Sequence, residues 1–214
     1  MHLHTHEIYW SNYSWILTNQ RVVYWGAEEA LILSDLHIGK AAHFRKHGIA
    51  LPTQVQQADL ARLKYLMEHF GAKKLIIVGD MIHAQSNVEV MAFGEFLKSI
   101  FPVQIILIKG NHDKLKDEFC LQLGVHEVYT QWLYRGIRFT HENQADSTLP
   151  QLSGHIHPGY ELFLPTRKSL RLPAFVIHPD YFILPAFSTF TGLDTKTSFP
   201  QAHYFPFHKE GFIL

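Results

Sequence analysis

Three short apolar runs set the pattern of the first half of the chain: residues 30–33 (ALIL), 75–78 (LIIV) and 105–108 (IILI). None alternates with polar residues, so each predicts a strand buried on both faces of a parallel sheet. Between them the periodicity is helical. Thr53, with Gln56 three residues on, predicts a helix start. Val55, Leu63, Leu66, Met67 and Phe70 then form one apolar stripe that stops at Gly71. A second helix is predicted from Ser86, with Glu89 in the capping-box position and Val88, Met91, Ala92, Phe96 and Ile100 inward, ending before Pro102. Strand, helix, strand, helix, strand in that order implies right-handed crossovers and a site beyond the carboxyl ends of the strands.

The flanks read differently. Residues 8–25, rich in Tyr, Trp, Ile and Val around Asn19-Gln20, predict two antiparallel strands. After the third buried run, a short helical pattern covers 114–123. Residues 137–140, 175–177, 182–184 and 204–207 are then β-rich runs separated by Pro, Gly and Asp. This half predicts a mostly antiparallel sheet packed on the first. No linker, repeat or low-complexity stretch intervenes, so residues 1–214 are expected to form a single α/β domain.

Composition narrows the class. In 214 residues, 47% apolar and 14% aromatic side chains are enough for a sizeable core and too many for disorder. The 19 basic residues balance 19 acidic ones, so no global positive field holds a polyanion; only local clusters could. The single Cys120 excludes an intramolecular disulfide and a cysteine-rich zinc site and fits a reducing compartment, so a cytoplasmic protein is expected. The opening Met1-His2-Leu3-His4-Thr5-His6-Glu7 lacks the order of a signal peptide. His178, Pro179, Asp180 and Pro185 interrupt the apolar stretches before membrane-spanning length, so no membrane partner is expected. A homo-oligomer stays open.

The candidate chemistry stands at the predicted strand ends. Asp35 and His37 follow the first buried run; Gly79-Asp80 and then His83 follow the second; Gly110-Asn111-His112-Asp113 follows the third. Later strands supply His141 and the pair His155 and His157. Alone, Asp35 reads as a strand-end cap and Gly79-Asp80 as a turn; recurrence after successive strands is what points to a metal site. Two divalent cations held close repel one another, and a carboxylate such as Asp80 can bridge and partly neutralise them. Asp-x-His and His-x-His on extended chain are expected to direct both side chains to one side. Asn111 adds a neutral oxygen. Mixed imidazole and oxygen donors without thiolate favour manganese or iron, with zinc, nickel or cobalt able to substitute. The remaining histidines fall outside any repeated ligand spacing.

These ordered motifs, D-x-H, G-D, G-N-H, a lone H and G-H-x-H, resemble the calcineurin-like metallophosphoesterase superfamily from Asp35 to His157. The resemblance implies an α/β fold, a four-layer α/β/β/α sandwich, with a two-metal site. Asp35, His37, Asp80 and His157 would hold one metal; Asp80, Asn111, His141 and His155 would hold the other; His112 would be the non-ligand residue near the leaving group. A narrower resemblance is carried by Leu36-His37-Ile38-Gly39-Lys40, Phe44-Arg45, Gly48, Leu51-Pro52, His157-Pro158, Arg171-Leu172-Pro173-Ala174-Phe175, Leu184-Pro185-Ala186-Phe187 and Phe190-Thr191-Gly192. These segments are similar to the ligase-associated DNA-damage-response endonucleases, which implies a manganese-dependent phosphoesterase or DNA nuclease.

The expected reaction is hydrolysis of a phosphoester by metal-activated water, with His112, oriented by Asp113, protonating the departing alkoxide. Lys40 and Arg45, read as exposed loop cations, and His83, in the loop bordering the metals, are candidate substrate contacts. Arg167-Lys168 with Arg171 reads as a solvated basic loop. A DNA endonuclease linked to repair competes with a small-molecule nucleotide phosphodiesterase or pyrophosphatase, and with a non-catalytic protein-binding scaffold. Against the scaffold stands a buried carboxylate set that is electrostatically costly without metal.

Overall fold

The computed structural model describes residues 2–46, 48, 54–83, 88–144, 147–165 and 168–213. Seven strands form the first sheet in sequence order: β1 (Thr5–Trp10), β2 (Tyr13–Thr18), β3 (Val23–Trp25), β4 (Ala30–Leu33), β5 (Lys74–Val78), β6 (Gln104–Ile108) and β7 (Glu127–Tyr129). The β1–β4 neighbours pair antiparallel, and β4–β7 pair parallel. The second sheet contains β8 (Gln131–Tyr134), β9 (Ile137–Thr140), β10 (Gln151–Ser153), β12 (Ser169–His178), β13 (Tyr181–Ile183), β14 (His203–His208) and β15 (Gly211–Phe212). Strand β11 (Gly159–Phe163) joins it as the hairpin partner of β12.

The three buried runs behave as their pattern requires. Leu31, Leu33, Leu75, Ile77, Ile105 and Leu107 point into one core beneath the helices. Ala30, Ile32, Ile76, Val78, Ile106 and Ile108 point into a second core shared with Phe139, Leu152, Phe175, Phe182 and Phe207 of the other sheet. Successive side chains on a strand face opposite ways, so a strand covered on both faces has no polar position to alternate. The described helices, α1 (Lys40–Lys46), α2 (Gln54–Phe70), α3 (Val88–Ser99) and α4 (Asp117–Leu123), gather on the first sheet's side. The architecture is α/β, with two stacked sheets and the described helices over the first.

Four local expectations are corrected. The N-terminal segment makes three strands, because Ser11 and Asn12 both adopt positive φ (48° and 65°) and close a tight hairpin between β1 and β2. The second sheet is mostly antiparallel as expected, with β9, β10 and β13 parallel to one another, but it holds more strands than expected: β8, β10, β11 and β15, like β7 of the first sheet, are too short or too polar for their pattern to declare them. Helix α3 is turned relative to the predicted stripe, since Val90, Phe93 and Leu97 are buried whereas Val88 and Met91 are 78% and 52% exposed. Its apolar residues surround more than one face, so packing rather than periodicity selects which goes inward. Helix α4 starts at Asp117 rather than at 114. Helix α2 ends where predicted, with Gly71 at φ +57°, whereas the proposed caps Thr53 and Ser86 lie outside the described residues.

Candidate metal centre

The carboxyl ends of β4, β5 and β6 meet those of β9 and β10 along one edge of the sandwich. The chain turns sharply at each. Asp35, His37, Asp80, His155 and His157 all have positive φ, between 48° and 71°. The Asp-x-His and His-x-His pairs are therefore not extended, and strand alternation does not aim them; left-handed turns do, stored against the usual steric preference by surrounding hydrogen bonds. Those bonds run between strand ends: Asp35 N–H to the Gly79 carbonyl (3.0 Å), His37 N–H to that of Asp80 (2.9 Å) and Gly154 N–H to that of His141 (3.1 Å).

Two clusters result. In the first, donor atoms of Asp35, His37 and His157 lie within 4.8 Å of one another; in the second, those of Asp80, His141 and His155 do. The two histidines of Gly154-His155-Ile156-His157 thus separate onto different clusters. Asp80 faces both, its Oδ1 3.4 Å from His141 Nε2 and its Oδ2 4.0 Å from His37 Nδ1. Close approach requires small residues beside it: a Cβ on Gly79 would fall 1.9 Å from the His141 ring, and one on Gly110 2.2 Å from Asp80 Oδ1.

The donor set fits divalent cations. His37 Nδ1 is buried without a hydrogen-bond partner among the described residues, and buried Asp35 Oδ1 meets His157 Nε2 at 3.1 Å without hydrogen-bond geometry. Two pairs of ring nitrogens face each other, His37 Nε2 with His157 Nε2 at 3.4 Å and His141 Nε2 with His155 Nδ1 at 3.2 Å. Unpartnered acceptors and converging imidazole lone pairs are what a cation resolves. The His141 Nδ1 lies 3.2 Å from the Val78 carbonyl; donating there leaves Nε2 free to ligate. This backbone partner carries no sequence signal and escapes sequence reasoning.

Electrostatics agree. Burial, helped by the neighbouring Lys40 ammonium, outweighs the pull of Asp35 and Asp80 and holds the His37 imidazole down to about 3, hence neutral. For Asp80, burial favours the acid, yet the hydrogen bond and charge of His141 outweigh it and hold the carboxyl down to about 2. Burial opposes a charge on His141, but Asp80 and Asp35 pull its pKa up; the same negative field favours a metal ion.

The other candidates lie around these clusters. Asn111 is exposed and lines, with His141, an open cavity of about 350 Å³. The ring of His112 is largely exposed, 4.0 Å from Asp80 Oδ2, with its backbone N–H donating to Asp80 Oδ1 at 3.0 Å. The His83 ring lies beside it, tilted by 32° with 4.6 Å between centroids. Asp113 does not orient His112. Its buried carboxylate accepts backbone N–H groups from Met81 (3.2 Å), Ile82 (2.8 Å) and Gly110 (2.9 Å), tying the loop after β6 to the loop after β5. Nor are Lys40 and Arg45 loop cations: both lie on α1. Lys40 is half-buried, so burial lowers its pKa against the pull of Asp35 and Asp80, and Arg45 forms an ion pair with Glu89 of α3.

The profile of the calcineurin-like phosphoesterases matches residues 30–189, the span that carries every cluster residue. The chain belongs to the calcineurin-like phosphoesterases. Like other members of that family it is a metal-dependent hydrolase. A nuclease, MPE, of Pseudomonas putida is similar in structure with a TM-score of 0.80 and 30% identity, over 95% of this chain and 96% of that one. The phosphoesterase Yfce of E. coli is similar with a TM-score of 0.46 and 17% identity, over 84% and 88% of the two chains. A search of curated proteins finds no match. Among the described residues of this phosphoesterase, no helix is long and apolar enough to cross a membrane.

Proposed function

We propose that this phosphoesterase is a two-metal phosphodiesterase that cleaves DNA. One observation carries the reading: two Asp/His clusters lie side by side, with Asp80 of one 4.0 Å from His37 of the other, in a chain similar over nearly its whole length to a nuclease. Asp35, His37, Asp80 and His157 would hold one cation. Asp80, Asn111, His141 and His155 would hold the second; imidazole mixed with carboxylate and amide oxygen suits manganese or iron, and the motif resemblance favours manganese. Such a pair, when bound, supplies positive charge to the phosphoryl oxygens and a water of lowered pKa. The protein's own groups do the rest. His112 presents an exposed imidazole beside the cluster and would give its proton to the departing alkoxide. Lys40, half-buried next to Asp35 and Asp80, and His83 would hold the phosphate in place. Arg45 would act on substrate only by leaving Glu89. Asp113 would serve by fixing the loops that carry Asp80 and His112. The buried, free Cys120, its thiol pushed up to about 11 by burial, suits a reducing cytoplasm, and the motif resemblance suggests work in DNA repair.

Metal-stripped protein supplied with Mn²⁺ and offered bis-p-nitrophenyl phosphate, p-nitrophenyl phosphate, single-stranded DNA and dinucleotide pyrophosphates tests this reading. Cleavage of the diester and of DNA well above the other two is expected. Turnover confined to dinucleotides would favour the small-molecule enzyme instead, and no turnover with both ions bound would favour the scaffold.

A further inference from the structure

The β11–β12 hairpin leaves the sandwich directly beside the site. Strand β11 begins two residues after His157, and its base is held by the Ala174 N–H on the Pro158 carbonyl (3.0 Å) and the Gly159 N–H on that of Asp194 (2.8 Å). It pairs in register from Gly159 opposite Pro173 out to Phe163 opposite Ser169. At about 3.3 Å per residue, Phe163 stands roughly 13 Å out from Gly159. Its side chain is 77% exposed and shares a face of the hairpin with Ser169 and Arg171, whereas the exposed Leu164, Lys168 and Leu170 lie on the other face.

The same hairpin concentrates positive charge. Between Gly159 and Pro173 the sequence holds Arg167, Lys168 and Arg171 against Glu161 alone, in a chain whose formal net charge is zero. Lys168 is exposed, and Arg171 keeps 62% of its side chain in solvent, 3.9 Å from Glu161. An exposed aromatic ring on an arm that carries solvent-facing cations on both faces, Arg171 on the ring's own, is a combination that can hold single-stranded nucleic acid, because every base has a face to stack and every link a phosphate.

We propose that this hairpin is a docking arm for single-stranded DNA, with a base stacked on Phe163, a phosphate at Arg171 on the same face, and the backbone passing round the tip to Lys168 on the other. The proposal rests on the nuclease reading above. It makes recognition depend on length, since about four stacked nucleotides at roughly 3.4 Å each span the arm.

The test compares wild type, Phe163→Ala, Phe163→Trp and the double variant Lys168→Ala/Arg171→Ala on long oligo(dT), on a dinucleotide and on bis-p-nitrophenyl phosphate. Binding of labelled oligo(dT) to metal-free protein is measured alongside. Phe163→Ala should weaken oligo(dT) binding and cleavage about tenfold or more while leaving the dinucleotide and the minimal diester unchanged, and Trp should restore it. The double variant should flatten the log–log salt slope by about 1.4. Unaltered oligo(dT) cleavage in Phe163→Ala overturns the arm but not the nuclease. A wild type that hydrolyses the minimal diester and no DNA overturns the nuclease reading itself. Equal losses on all substrates, or conversion of a dimer to a monomer with DNA cleavage retained, assign the hairpin to folding or self-association and also overturn the arm.

Discussion

Asp80 belongs to one cluster and its Oδ2 borders the other, 4.0 Å from His37 Nδ1, so its charge and its shape have separable consequences. Asp80→Asn keeps the volume and removes the charge that would offset repulsion between two cations. The variant is expected to lose activity and to retain fewer than two metal ions after dialysis, as read by elemental analysis; full dinuclear occupancy would remove Asp80 from the bridge. His112 offers the opposite case, a side chain beside the clusters that is in neither donor group. His112→Ala should keep both metals and lower kcat by about 10² to 10⁴, most for esters with poor leaving groups. An undiminished rate on an alkyl ester, with metals present, would contradict its role as proton donor. Both residues could be picked from the sequence because G-D and G-N-H follow buried runs. Asp113 is the counter-example: next to His112 in sequence, it points away from it, because three backbone N–H groups claim its carboxylate.

At the scale of elements, the site depends on a loop that holds no proposed ligand. Residues after β13 return beneath Asp35: Phe187 N–H donates to the Ser34 carbonyl (2.8 Å) and Ser188 N–H to that of Asp35 (3.2 Å). Two arginines pin that loop from the other side. Arg62 of α2 reaches the Phe187 carbonyl (2.6 Å) and pairs with Asp59 at 3.0 Å, and Arg21 reaches the Ala186 carbonyl (2.9 Å). The pair is buried, and removing one partner strands the other charge, so Arg62→Ala should destabilise the fold by about 3–5 kcal/mol. Adding Asp59→Ala should recover part of that loss. Denaturant titration of the double-mutant cycle is the measurement, and strict additivity would mean that the two side chains act independently. Asp59 and Arg62 stand three apart on a helix, a spacing visible in the sequence, but nothing there says that they face a loop more than a hundred residues away.

For the molecule as a whole, the two sheets are joined by a polar hub as well as by the apolar core. Glu28, just before β4, accepts Lys74 of β5 (2.8 Å), the Tyr134 hydroxyl of β8 (2.6 Å) and Arg135 (2.9 Å). Burial favours its neutral form, but the hydrogen bonds from Lys74 and Tyr134 and the charges of Lys74 and Arg135 outweigh that, and its pKa lies below the ordinary 4.5. A carboxyl depressed in the folded state contributes stability that is full above the unfolded value and fades as pH falls below it. The wild type should therefore lose thermal stability on acidification below about pH 4.5, and Glu28→Gln should be less stable at neutral pH with a shallower acid limb. Parallel acid limbs in the two proteins would exclude Glu28 as a contributor.

The sequence by itself determined the strands buried on both faces, the helix that closes at Gly71 and the order in which Asp, Asn and His residues follow the strands, because each is a local property: which side chains repeat, and what terminates a run. Tertiary structure decided what local pattern could not. Packing chose the inward face of α3 from several apolar stripes, a two-residue turn with positive φ split the N-terminal segment into three strands, and short strands of the second sheet formed only because neighbours were there to pair with. It also sorted the histidines. His155 and His157 are two residues apart and belong to different clusters, whereas His37 and His157 are 120 apart and their Nε2 atoms lie 3.4 Å from each other. A ligand's identity is written in the chain, but its partner is fixed by where two sheet edges converge and by the left-handed turns that aim each side chain once they do.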